Sequence, residues 1–233
     1  MKYKRGAIMD IENKLNTKAF KFFDWLFGFV VINLITIILS IFIITLLPAF
    51  VAAYATIKGF KENGPTKVIR TYFKNFKKYS EKSFIIGLFI IIIIVVAAFS
   101  MWFYGNQFEV TNPIGQAGFW VMIAVLLLVF LFSLHVPLII INFESFGILD
   151  TIRIAIFVCF RYFISSLVII IADIVMVIGI LALPIWVLIG ISLPIFLIIK
   201  FTEPTYYYLH KIEIEKIIER AKEIENEEDD FGN

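Results

Sequence analysis

The chain has 233 residues, of which 61% are hydrophobic, and its mean hydropathy is +0.92; that leaves too little polar surface to cover a water-soluble fold of this length. A formal net charge of +2 is too small to favour a nucleic-acid partner. One cysteine, Cys159, and two histidines supply neither an internal disulfide nor a common Cys/His zinc cluster. The principal solvent of the chain is therefore lipid, with the charges gathered at the N-terminus, between residues 58 and 82, and after Lys200.

Residues 1–21 form a basic N-terminal segment, and the membrane domain is expected over 22–201. The apolar stretch that opens at Phe22 has no small-residue cleavage site after a short hydrophobic region, so it is expected to stay as an anchor. Phe22 to Ile57 would measure roughly 54 Å as one straight helix against a hydrocarbon thickness of about 30 Å. Two spans are expected, with a turn between Ser40 and Pro48. Between Pro65 and Ser80, Val68, Ile69, Tyr72, Phe73, Phe76 and Tyr79 fall at helical spacing while Lys67, Arg70, Lys74, Lys77 and Lys78 occupy the remaining positions. This pattern predicts a helix in the membrane interface, with the five cations forming a lipid-facing or partner-facing surface.

Phe84 to Tyr104 predicts the third span and Phe119 to Ile141 the fourth, on either side of a polar loop at Gly105 to Gly118. Tyr162 to Phe201 is too long for one crossing and divides near Leu183 into the fifth and sixth. Residues 202–233 predict a cytoplasmic helix with an apolar stripe of Ile214, Ile217, Ile218, Ala221 and Ile224, ending in the acidic tail Glu225 to Asp230. The expected architecture is all-α: a polytopic membrane bundle of about six transmembrane helices in three hairpins, plus the interfacial helix and the C-terminal cytoplasmic helix.

Charge supports that count. Lys14, Lys18 and Lys21, the basic cluster from Lys58 to Lys82, Arg153, Arg161 and Lys200 all fall on one side of a six-span chain. The opposite loops carry no Lys or Arg. By the positive-inside rule the chain is a multi-pass cell-membrane protein with both termini cytoplasmic.

An ionised side chain at mid-bilayer costs about 2.5 to 3.5 kcal/mol on insertion scales, so intramembrane polar residues are informative. Asp173, His135 and Asn33 form the candidate polar site. Asp173 reads either as a substrate or proton site or as a satisfied interhelical hydrogen bond, and His135, two residues before Pro137, is its candidate partner. Pro48, Pro184 and Pro194 are candidate helix breaks, where freed backbone groups could meet a substrate, or plain turn-shaping and kink positions. Ala49, Ala52, Ala53 and Ala55 would let another helix approach closely. No phosphate-binding loop, H-E-x-x-H, G-x-S-x-G or dinucleotide glycine pattern occurs. No catalytic residue, metal or cofactor is therefore assigned.

Pro48-Ala49 with Ala52, Ala53 and Lys58, the stretch Tyr72-Phe73-Lys74-Asn75-Phe76-Lys77-Lys78, and His135-Val136-Pro137 leading to Phe143-Glu144 resemble the YesL-type family of bacterial membrane proteins, a domain of unknown function. The resemblance runs from about Phe20 to about Thr205. It implies an accessory role beside an ABC-type carbohydrate uptake system, with ABC transporter permease subunits as partners, and supplies no catalytic residues. The charged region after Pro204 departs from the family's pattern. The expected partners are thus the lipid bilayer, such permeases and a second copy of the chain, with no nucleic acid. The reading preferred from sequence is an accessory or interaction subunit; the alternative is a small transporter or substrate-binding membrane subunit with a polar site near Asp173.

Overall fold

The computed structural model describes residues 18–65, 67–107, 113–209 and 211. In chain order its elements are α1 (Lys18–Ser40), a 3-10 turn (Ile43–Thr45), α2 (Leu46–Asn63), α3 (Val68–Gln107), α4 (Pro113–Asn142), α5 (Ile148–Arg161), α6 (Phe163–Ala182), a second 3-10 turn (Pro184–Leu188) and α7 over 192–209. Among the described residues there is no strand. A helix satisfies its backbone within itself, which lipid demands. The segment 1–17, and the apolar stripe and acidic tail expected between 212 and 233, lie outside the described residues.

The first hairpin turns where the excess length of Phe22 to Ile57 required a turn, but Pro48 does not make it. The chain leaves helix at Ile41 and Phe42, and Thr45 folds back with its hydroxyl donating to the Phe42 carbonyl at 2.9 Å. Pro48 is the third residue of α2, in the first turn, where a missing N–H removes no intrahelical bond. At the other end, Gly64 takes φ 73 and its N–H closes on the Phe60 carbonyl at 2.8 Å. That left-handed geometry suits a residue without Cβ.

Helix α2 lies at the centre, packed against α1, α3 and α4. Ala49, Val51, Ala52, Ala53 and Ile57 are fully buried. Lipid tails are as apolar as leucine, so close approach across small residues is what holds such helices together. The ring of Trp25 meets Phe29, Phe60 and Phe196 edge-on at 5.5 to 5.9 Å between centroids, tying α1, α2 and α7 at one end.

Helix α3 has 40 residues, about 60 Å, roughly twice the hydrocarbon thickness. The stretch from Pro65 to Ser80 is therefore not a separate interfacial helix: from Val68 onward it is the opening of α3. Val68 and Tyr72 are buried and Phe76 and Tyr79 half-buried, while Ile69, Phe73 and the five cations remain exposed. Most of the aromatic face thus lies against the protein, because the alanines of α2 leave room for it. The Tyr72 hydroxyl donates to the Ala49 carbonyl at 2.9 Å and lies 3.1 Å from Thr36 Oγ1.

Sequence periodicity did not single out α5. Its buried residues, Thr151, Ala155, Val158 and Cys159, follow helical spacing. Its exposed face carries Leu149, Ile156, Phe157 and Phe160 with Arg153 and Arg161. It meets α6 at 93°. Its apolar outer face, rimmed by arginine, has the composition of a membrane-contacting helix.

The protein is an all-α membrane protein, and the count of crossings is where it differs from expectation. Among the described residues four helices are long and apolar enough to span a bilayer, and the bent pair α5 and α6 raises the number to five. The break at Leu183 falls where it was expected, but the sixth crossing is a helix whose apolar part is only half-length. Its start, Ser192, is bonded to the level of Phe29 and Asn33, and Asn33 stands seven residues, roughly 10 Å, short of the end of α1 at Ser40. From Ser192 to Lys200 is only about 12 Å.

Candidate functional site

A discontinuous helix inside a bilayer must find partners for its end groups. Asn33, fully buried on α1, provides them: its Oδ1 accepts from the N–H of Ile191 at 2.9 Å and of Ser192 at 3.1 Å, and its amide donates to the Val187 carbonyl. Ser192 Oγ donates to the Phe29 carbonyl at 3.0 Å. The following donors are satisfied too, Leu193 N–H by Ile189 at 3.0 Å and Ile195 N–H by Ile191 at 3.2 Å, while Pro194 has none. Asn33 is thus a cap supplied from another helix. Pro184 opens the second 3-10 turn and Pro194 lies in the first turn of α7, so both sit at this discontinuity.

His135 is buried on α4 with both ring nitrogens engaged, Nδ1 2.8 Å from the Tyr206 hydroxyl and Nε2 2.8 Å from Ser166 Oγ. Ser166 in turn donates to the Cys159 carbonyl at 3.4 Å. Both ring nitrogens are thus taken, whichever tautomer the ring adopts. His135 therefore joins α4, α6 and α7 and has no nitrogen left for Asp173, its expected partner. The two residues belong to different places in the bundle.

Asp173 lines a cavity of about 760 Å³ between α2, α3, α4, α6 and the start of α7. Apart from Asp173, its polar wall consists of Tyr54, 5% exposed and within electrostatic reach of the carboxylate, and Ser133. The Ser133 hydroxyl already donates to the Phe130 carbonyl at 2.7 Å. Pro137, also in the wall, has no N–H to give the Ser133 carbonyl four residues earlier. The rest of the wall is hydrocarbon, and Ile94, Phe130, Ile174 and Ile178 at its edge are largely exposed. The cavity opens sideways, toward the region that lipid tails occupy. Among the described residues no hydrogen bond or ion pair reaches Asp173.

At the basic end, Lys67, Arg70, Lys74 and Lys77 are exposed, whereas Lys78 is bound to Glu144 at 2.6 Å. The Tyr79 hydroxyl donates to the same carboxylate oxygen. These two donors hold the Glu144 carboxyl below its usual range. Lys58 donates to Asn142 at 2.7 Å, Asn75 to Thr56 at 3.1 Å, and Lys61 is paired with Glu203. Among the described residues no three His, Cys, Asp or Glu side chains gather as metal ligands.

Many of the residues that carry the family resemblance therefore meet one another or their neighbours in helix-to-helix locks: Tyr72 on Ala49, Lys78 on Glu144, His135 between Ser166 and Tyr206. They maintain packing, and only Pro137 among them also reaches the cavity wall. A family model described as "Protein of unknown function, DUF624" matches residues 29–101, which cover the second half of α1, all of α2 and most of α3. The resemblance to YesL-type proteins is consistent with that match. No curated protein and no solved structure matches the chain.

Proposed function

We propose that this membrane protein is a small transporter or substrate-binding membrane subunit whose guest is hydrophobic and enters from the bilayer. The observation that carries the reading is the cavity of about 760 Å³ beside Asp173, a size within the ~300–1,000 Å³ of pockets that hold drug-sized ligands. A merely structural carboxyl would be met by a donor from a neighbouring helix, and Asp173 is not. The basic end, with Lys67, Arg70, Lys74 and Lys77, faces the cytoplasm in this reading, which puts both termini there. Cysteines placed at Ala117 and Lys77 in a Cys159-free background test the orientation: only position 117 should react with a membrane-impermeant reagent applied to intact cells.

The guest itself is tested by native mass spectrometry of protein released from its own membranes. Wild type should carry a discrete hydrophobic adduct, and Leu134→Trp, which fills the cavity wall, should lose it at unchanged melting temperature. Identical spectra would remove the reading.

A second reading, an accessory subunit beside an ABC-type carbohydrate permease, is favoured by the same wall. A sugar needs many hydrogen-bonding partners, and this cavity has few, so the chain would serve such a system without holding the sugar. The exposed cations at and just before the start of α3 are then the contact surface for the permease. Reversing Lys67, Arg70, Lys74 and Lys77 to glutamate should abolish copurification with permease subunits if that role is correct.

A further inference from the structure

We propose that the cavity selects a hydrophobic ammonium, a compact hydrocarbon body bearing a protonated amine, with the cationic head on Asp173. The inference rests on the cavity being a binding site and adds the chemistry of the guest. The wall's polar side chains are mainly acceptors: the Asp173 carboxylate and the Ser133 hydroxyl oxygen. The Ser133 hydroxyl has its proton on Phe130, leaving the Tyr54 hydroxyl as the wall's side-chain donor.

The start of α7 borders the same cavity through Ile191, Pro194 and Ile195. A half-helix N-terminus in a membrane commonly receives an anion. Here its donors are already used, by Asn33 and by Ile189 and Ile191, so an anionic head would find the Asp173 charge and no free N–H. A neutral apolar guest would fill the space and leave the carboxylate without a partner. A protonated amine satisfies the carboxylate, and its hydrocarbon body takes the apolar remainder. Because the edge at Ile94, Phe130, Ile174 and Ile178 is exposed, such an amphiphile reaches the site laterally with its head drawn inward to Asp173.

The test uses the full-length protein in maltoside detergent and three probes with one hydrocarbon cage: 1-adamantylammonium, 1-adamantanol and adamantane-1-carboxylate, titrated calorimetrically. The ammonium should bind saturably at one per chain, at least tenfold more tightly than the carboxylate. Asp173→Asn should weaken the ammonium by ~10-fold or more, the worth of a charge-assisted hydrogen bond, and leave 1-adamantanol unchanged. Asp173→Glu, which keeps the charge, should retain ammonium binding and guards against a folding defect in the amide variant. Equal affinity for all three probes, or ammonium binding indifferent to both substitutions, overturns the ammonium assignment. If 1-adamantanol still binds and Leu134→Trp abolishes it, the cavity reading survives that failure. If no probe binds wild type, both fall.

Discussion

Ser192 and Asn33 stand 159 residues apart in sequence and meet at 3.1 Å, backbone N–H to side-chain Oδ1, so the first membrane helix supplies the cap that lets the last one begin inside the bilayer. The contact explains why a stretch read as one overlong apolar run can contain a turn and a 3-10 segment at membrane depth. Irregular backbone is tolerated there only when protein satisfies it.

Asn33→Leu should consequently leave the N–H groups of Ile191 and Ser192 and the Val187 carbonyl without partners. Each orphaned buried group costs about 1–3 kcal/mol, so thermal unfolding in detergent should fall well below wild type. Asn33→Ser, which keeps an acceptor, should recover part of the loss. A melting temperature for the leucine variant equal to wild type would contradict the capping role.

His135→Phe should destabilise by about 1–3 kcal/mol by removing the partner that Ser166 and Tyr206 share. The informative measurement is a double-mutant cycle with Tyr206→Phe. Direct contact predicts a coupling of about 0.5–3 kcal/mol, and additive effects would show that the 2.8 Å approach contributes nothing.

Gly179 faces the indole of Trp186 so closely that an added Cβ would overlap the ring. Gly179→Ala should push the second 3-10 turn off α6 and cost about 1–3 kcal/mol, the usual cost of overpacking. Trp186→Leu in the same chain should relieve much of that cost. A measured gain in stability from Gly179→Ala alone would exclude the close approach.

Glu144 provides the pH dependence. Its carboxyl, ordinarily near 4.5, is lowered chiefly by the hydrogen bond from Lys78 and then by that from Tyr79. A group whose folded value is depressed contributes stability above its unfolded value and loses it as pH falls through the folded one. The melting-temperature gap between wild type and Glu144→Gln should therefore be full at neutral pH and close in acid below the ordinary carboxyl range. Exposure keeps it small. A gap that widens in acid would invert the sign.

The spans that length dictates were legible in the sequence. Phe22 to Ile57 and Tyr162 to Phe201 each exceed a bilayer, and the chain does break between Ser40 and Pro48 and at Leu183. Continuity of α3 was not, since the charges from Lys74 to Lys82 mark a change of solvent and helix hydrogen bonds run through it. The amphipathic α5 was hidden because its protein-facing side is small and its outer side apolar, the reverse of a water-facing helix. The expense of Asp173 in lipid pointed to a special environment, and the cavity provides one. Its separation from His135 depended on the rotation of α4 and α6, which hydropathy does not encode. The polarity of Asn33 within an apolar run marked it, but its capping role had no local signal, since its partners lie at Val187, Ile191 and Ser192.

The cap reaching from α1 to α7 also imposes an order on biosynthesis. A chain emerging from the ribosome delivers α1 to the membrane long before Ser192 is made, so the insertion machinery can release the first helix with Asn33 still unengaged, an amide tolerable near mid-bilayer at modest cost. The last segment has no such independence. Its polar start becomes soluble in hydrocarbon only by docking on a helix already in place, so α7 settles after the bundle has gathered rather than as an autonomous insertion. Ribosome-arrested chains should then show Ser192 crosslinking to α1 only late, and chains lacking residues before Leu46 should leave the C-terminal segment accessible to added protease.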